Sequence, residues 1–134
     1  MESFAQAEVT SEDPAFPLES ALGLSDGPGW QASAPGPQTI RLRFDHPMRV
    51  RRIHLEFQEE KQERTQEFVL RWSADDRKSY QEILRQQYHF HASAPREAED
   101  YQVNLDNLTA LELQITPDIR GGETRASLHR LQIA

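Results

Sequence analysis

The run Tyr88-His89-Phe90-His91 is where side chains of chemical use are densest along this 134-residue sequence. On an extended backbone successive side chains alternate, so Tyr88 and Phe90 share one face and His89 and His91 the other. One arrangement is a rim platform, with aromatic faces for stacking and imidazoles for hydrogen bonds to hydroxyls. The other buries Tyr88 and Phe90 and leaves two solvated histidines, and the apolar character of the pair favours it. Two histidines at i, i+2 would hold zinc only with a third ligand, which folding would have to bring from His46, His54, His129 or Asp45.

A second concentration is cationic. Arg41, Arg43, Arg49, Arg51 and Arg52 fall on two stretches that read as neighbouring strands. A guanidinium fork matches planar oxyanions, so Arg41 and Arg43 are candidates for a uronic or sulfated sugar, a phosphate or an acidic partner. The alternative is a solvent face whose arginines pair with Glu56, Glu59, Glu60 and Glu63 nearby in sequence. Two acidic pairs, Glu59-Glu60 and Asp75-Asp76, hold neighbouring carboxyls. Glycoside hydrolysis needs two carboxyls facing each other across a cleft at roughly 5–10 Å, which neighbours on a turn do not supply. No nucleophile elbow, phosphate loop or HExxH stands in the chain. The expectation is a non-catalytic protein.

The elements that must position these residues follow a period of two. Ile40, Leu42 and Phe44 alternate with polar residues, and so do Ile53, Leu55 and Phe57. His46-Pro47 reads as a break between two strands. Val50 is off the parity of Ile53, which predicts a bulge between them. Phe68, Leu70 and Trp72 form a further strand, with Trp72 on its inward parity. Ser73 to Ser79 reads as a hairpin-like connection and Tyr80 to Phe90 as an extended segment. Tyr101, Val103 and Leu105 make a strand that Asp106-Asn107 ends. Leu111, Leu113 and Ile115 make the next, and Leu128, Leu131 and Ile133 close the chain. Seven or eight short strands with turn residues between them predict an all-β fold, an antiparallel β-sandwich or jelly roll.

Charge is distributed unevenly. The first 40 residues carry six acids and no Lys or Arg, and are punctuated by Pro and Gly. Residues 1–37 therefore read as an irregular acidic arm packed on the rest of a single 1–134 domain, with room for a short helix within Leu18–Leu24. The whole chain has 22 Asp and Glu against 15 Lys and Arg, net −7, which argues against general nucleic-acid binding. There is no cysteine, so disulfides and thiolate chemistry are excluded. The opening MESFAQAEVT has no basic or apolar leader, and no apolar run nears the roughly 20 residues of a membrane span. A cytoplasmic protein without a membrane partner is the expectation.

Four stretches together resemble the discoidin family, the type C domains of the coagulation factors, within the galactose-binding-like jelly rolls. They are Ala21 to Trp30 (ALGLSDGPGW), Thr39 to Phe57, the run from Phe68 through Trp72-Ser73-Ala74-Asp75-Asp76 to Ser79-Tyr80, and Ser127 to Ile133. Trp30 matches a position that helps to pack the family's sandwich. The run from Trp30 to Ala34, with Thr39-Ile40, is also similar to the N-terminal domain of a DNA single-strand-break repair scaffold protein, a branch that implies protein partners. The resemblance implies a ligand site in loops at one end, here Ser25–Gly29 and Tyr88–Ser93, and makes Asp26, Tyr88, His89 and His91 candidates beside Arg41 and Arg43. Many sugar-binding members hold a structural calcium. The matching positions here are Gly23, Pro28 and His129, which offer no carboxylate and argue against that ion. Two partners are implied, a carbohydrate or a protein. An exposed aromatic beside polar groups would favour the first, an apolar patch of several hundred Å² the second.

Overall fold

A computed structural model describes residues 6–22 and 27–134. The described elements are β1 (Gln6–Val9), α1 (Glu19–Leu22), β2 (Trp30–Pro35), β3 (Gln38–Gln58), β4 (Arg64–Ser73), β5 (Gln81–Phe90), β6 (Arg96–Thr116), β7 (Arg125–Leu128) and β8 (Arg130–Ile133). β3 and β6 have 21 residues each and pair antiparallel from Gln38↔Ile115 to Gln58↔Arg96. The first half of this ribbon is flanked by β1 on one side and by β4 and then β5 on the other, and its second half by β8. β2 and β7 form a separate two-stranded sheet.

The ribbon bends in its middle. Phe44 to Pro47 stand opposite Thr109 alone, because the register jumps from Arg43↔Ala110 to Met48↔Leu108. Two further shifts follow, on either side of Val50↔Leu105. Pro47 has no N–H to give a ladder, and Asn107 takes a left-handed conformation (φ 60°) that asparagine tolerates. Beyond the bend both flanks bury their alternating residues. Ile40, Leu42 and Phe44 from one flank and Ile53, Leu55 and Phe57 from the other belong to one core. Phe57 stacks on Phe68 of β4 with ring centroids 5.3 Å apart, joining the two layers of the sandwich.

The period-two segments are therefore strands, as expected, but two expected breaks are bulges. His46-Pro47 does not separate two strands, nor does Asp106-Asn107. Both lie within one continuous ribbon, where an irregular ladder bends the strand without ending it. The bulge expected between Val50 and Ile53 is present. The N-terminal arm is more ordered than its composition implies, since β1 pairs with β3 from Gln6↔Arg43 to Val9↔Ile40. Trp72 packs on the core but is only half-buried, at the end of β4.

Facing residues in an antiparallel ladder share a side of the sheet. The registers Phe57↔Glu97, Leu55↔Glu99 and Ile53↔Tyr101 thus turn two carboxyls and a phenol toward the interior. Glu97 is 2% exposed; its Oε1 accepts from Gln66 Nε2 at 3.3 Å, while Oε2 has no partner among the described residues. Burial, and then the neighbouring Glu99 carboxyl, push the Glu97 pKa up from 4.5 to about 9, against the opposing pull of Gln66 and Arg64. The folded state holds a proton that the unfolded chain releases above about pH 4.5. This contribution is complete below that value and is lost as pH rises toward 9. The thermal midpoint is expected to fall between pH 5 and pH 9, and Glu97→Gln to remove most of that fall and raise the midpoint at pH 8. A wild-type midpoint that climbs over this range, or a variant that tracks the wild type, would contradict the assignment.

Candidate functional site

Arg64 opens β4 and is 1% exposed, although it ends a run of sequence (QEEKQER) that is polar throughout. Its Nε donates to Glu59 Oε1 at 2.6 Å and its Nη1 to the Pro117 carbonyl at 2.6 Å and to Gln66 Oε1 at 3.3 Å. Its guanidinium lies 4.7 Å from the centroid of the Phe90 ring. A charge this deep is retained only when its donors are met. Meeting them ties the 59–63 loop to residue 117 and to the start of β4. The loop is fixed further by Glu59 N donating to Pro95 O at 2.8 Å and Lys61 N donating to Glu59 Oε2 at 3.1 Å.

This loop separates two hollows at one end of the sandwich. The first is a cleft of about 340 Å³ between the loop, β2 and β7. Its apolar side is Phe16, Pro28, Trp30 and Leu128, its hydrogen-bonding side Gln31, Gln58, Ser127 and His129, and its charges Glu60, Lys61 and Arg125, with Glu59 held by Arg64. Trp30 is a wall rather than a platform: it is 1% exposed and its Nε1 donates to Ser11 O at 3.1 Å. Gly29 sets the approach of this wall. It has φ +90°, and a Cβ there would meet Leu128 O at 2.6 Å and His129 Cα at 2.8 Å. The second hollow, about 460 Å³, lies on the other side of the loop and is bordered by Glu63, His91 and Pro95.

The residues singled out by sequence divide between the two ends. Tyr88 is half-buried, packs edge-on against the buried Phe90 with centroids 5.0 Å apart, and donates to Arg96 O at 2.9 Å. His89 and His91 are exposed on the opposite side, with ring centroids 5.8 Å apart. His89 is already engaged by Thr65 Oγ1 at 2.8 Å and Glu63 Oε1 at 3.0 Å. His91 accepts from Ser93 N at 3.3 Å. The aromatics thus turn inward and the imidazoles outward, as strand alternation predicts. Asp26 lies outside the described residues, as does Gly23.

Arg41 and Arg43 are elsewhere. Arg43 faces Ala110, which faces Ser73, whereas His89 faces Thr65. Eight residues along β4, roughly 26 Å, separate the two groups. Arg41 Nε donates to Glu112 Oε1 at 2.9 Å, and Arg71 Nη1 takes the other oxygen at 3.0 Å. Arg43 binds both oxygens of Asp76, at 3.0 and 3.2 Å. Arg49 and Arg51 pair with Asp106, and Arg52 with Asp100. These partners come from β6 and the β4–β5 turn, not from Glu56, Glu59, Glu60 or Glu63. The five arginines also line one bent strand rather than two paired ones. Asp75 is held by the hydroxyl of Ser79, then that of Ser73, and by Ser79 N–H, which bring its pKa down to about 2, so it caps the β4–β5 turn.

No protein-family model matches the chain, and no curated protein matches it. Solved structures do match. A pectin-binding carbohydrate-binding module is 12% identical, with a TM-score of 0.73, covering 99% of this chain and 91% of that one. The family 32 module of AlyQ, solved with 4,5-unsaturated mannuronic acid, is 14% identical with a TM-score of 0.71, covering 98% and 95%. The family 32 module of Clostridium perfringens NanJ, solved with galactose, is 16% identical with a TM-score of 0.64, covering 96% and 91%. The chain therefore has the β-sandwich jelly-roll fold that these carbohydrate-binding modules have.

The two kinds of ion pair separate experimentally. Arg64→Met leaves Glu59 with 14% side-chain exposure and no cation, and is expected to cost about 3 kcal/mol in urea unfolding. Arg43→Met breaks the exposed pair with Asp76 and is expected to cost less than about 1 kcal/mol. Equal losses would contradict the role given to Arg64.

Proposed function

We propose that this domain is a non-catalytic carbohydrate-binding module whose sugar sits in the cleft between the 59–63 loop, β2 and β7. The observation that carries the reading is the set of unused hydrogen-bonding groups there. The side chains of Gln31, Gln58 and Ser127 line the cleft and make no hydrogen bond among the described residues. Side-chain amides and a hydroxyl both donate and accept, which is what a sugar hydroxyl requires. Half-buried Phe16 and exposed Pro28 offer an apolar rim for the C–H face of a ring. The volume is at the small end of ligand sites, suited to one or two sugar units. Structures with this fold include modules described as bound to galactose and to GalNAc-β-1,3-galactose, which supports the ligand class. A protein partner has less support, because Ile119 is the one large hydrophobic side chain that is exposed among the described residues. No group of three metal-ligating side chains stands together among the described residues.

A glycan array, followed by calorimetry on the best ligand, tests this. Binding is expected to be equal in calcium and in chelator. The double variant Gln58→Ala, Ser127→Ala is expected to weaken it about tenfold, as the loss of two net hydrogen bonds implies. His91→Ala, in the second hollow, is expected to leave affinity within about twofold. No bound glycan would overturn the function, and loss of binding in His91→Ala alone would overturn the location.

A further inference from the structure

The chain places its cations with an unusual economy of free charge. Among the described residues, acidic or other polar groups partner the Lys and Arg side chains with three exceptions: Lys61, Lys78 and Arg125. Two of these three, Lys61 and Arg125, line the same cleft. They stand there in a chain whose net charge is −7, where acids to neutralise them are plentiful. Of the two acids lining that cleft, Glu59 is occupied by Arg64 and only Glu60 carries no partner cation. The cleft therefore holds an excess of positive charge on side chains that nothing in the protein satisfies.

We propose that the sugar selected by this cleft is a uronate, with its carboxylate held by the Arg125 fork and the Lys61 ammonium. The proposal rests on the carbohydrate reading above and deepens it. Arg125 is set for the task because its backbone lies in β7, in register with Pro35, so its stem rises from a strand. A guanidinium presents parallel donors that fit both oxygens of one carboxylate, and an ammonium adds a point charge without fixed direction. Lys61 is carried by the loop that Arg64 anchors through Glu59. Gln31, Gln58 and Ser127 remain for the ring hydroxyls. Glu60 acts against the anion and makes the selection tunable. Arg41 and Arg43, which have the right chemistry, are already satisfied by the protein's own acids.

Calorimetry with galacturonate and mannuronate oligomers, their methyl esters and a neutral galactan, all in chelator, tests the proposal. At least one acid is expected to bind about tenfold more tightly than its ester, one charge-assisted contact being worth roughly that factor. Arg125→Gln should weaken binding of the acid more than binding of its ester and so shrink this preference, Arg125→Gln with Lys61→Gln should remove it, and Glu60→Gln should strengthen binding of the acid alone. If esters and galactan bind as tightly as the acids, anionic selection is wrong and the carbohydrate reading stands. If a sulfated galactan binds as tightly as the uronates, the contact reads charge and not the carboxylate, and the proposal fails. If none of these sugars nor any other glycan binds, both readings fall.

Discussion

The antiparallel ladder between β3 and β6 is the constraint on which everything else depends. A backbone N–H or C=O that is buried must be paired, and this ladder pairs two strands of 21 residues along nearly their full length. Every other strand except β2 and β7 is placed through it: β1 and β8 on β3, and β4, with β5 beyond it, on β6. Its central bulges turn one flank over the other, so that Ile40, Leu42 and Phe44 meet the same core as Ile53, Leu55 and Phe57. At the far end the ribbon stops at Gln58, and the chain must turn back through 59–63 to reach β4. Arg64 is buried where that return happens, and it decides the path of the loop.

Charge on the outer face of the large sheet is settled within the sheet. Glu8, Arg41, Glu112, Arg71 and Glu82 face one another in turn across β1, β3, β6, β4 and β5, so the signs alternate along one row. Glu112 is 7% exposed because arginines from both sides cover it. Opposite charges on facing positions stabilise a sheet modestly, and here they also leave little free field. The result is a protein whose arginine content says little about what it binds. The informative cations are the few that the protein leaves without a partner, and two of the three, Lys61 and Arg125, line the cleft at the opposite end.

Much of the fold was legible from the period of two, because one face of each strand is buried and alternation is then obligatory. The interruptions at His46-Pro47 and Asp106-Asn107 are not legible as bulges, for a physical reason. Pro47 and Asp106-Asn107 carry the same local chemistry whether the chain turns or merely bulges, and only the partner strand decides between the two. The alternation of Tyr88 and Phe90 with His89 and His91 was legible, since it needs nothing beyond the strand. The cleft was not. Gln31, Gln58, Lys61, Ser127 and Arg125 come from three strands and a loop, and no spacing links them before the fold does. Arg64 was hidden in a run of polar residues, and no local signal distinguishes a buried arginine from its solvated neighbours. Arg41 and Arg43 cluster in sequence, whereas their acids arrive from β6 and from the β4–β5 turn.

The most direct test of the site is a map of backbone amide shifts as a sugar is added to the labelled domain. Titration in chelator with whichever of the galacturonate and mannuronate oligomers binds more tightly is expected to move the amides of Gln31, Gln58, Lys61, Arg125 and Ser127, and to leave those of Arg41, Arg43 and Tyr88 to His91 in place. Shifts confined to 88–93, or to the arginine row at the other end, would contradict the account.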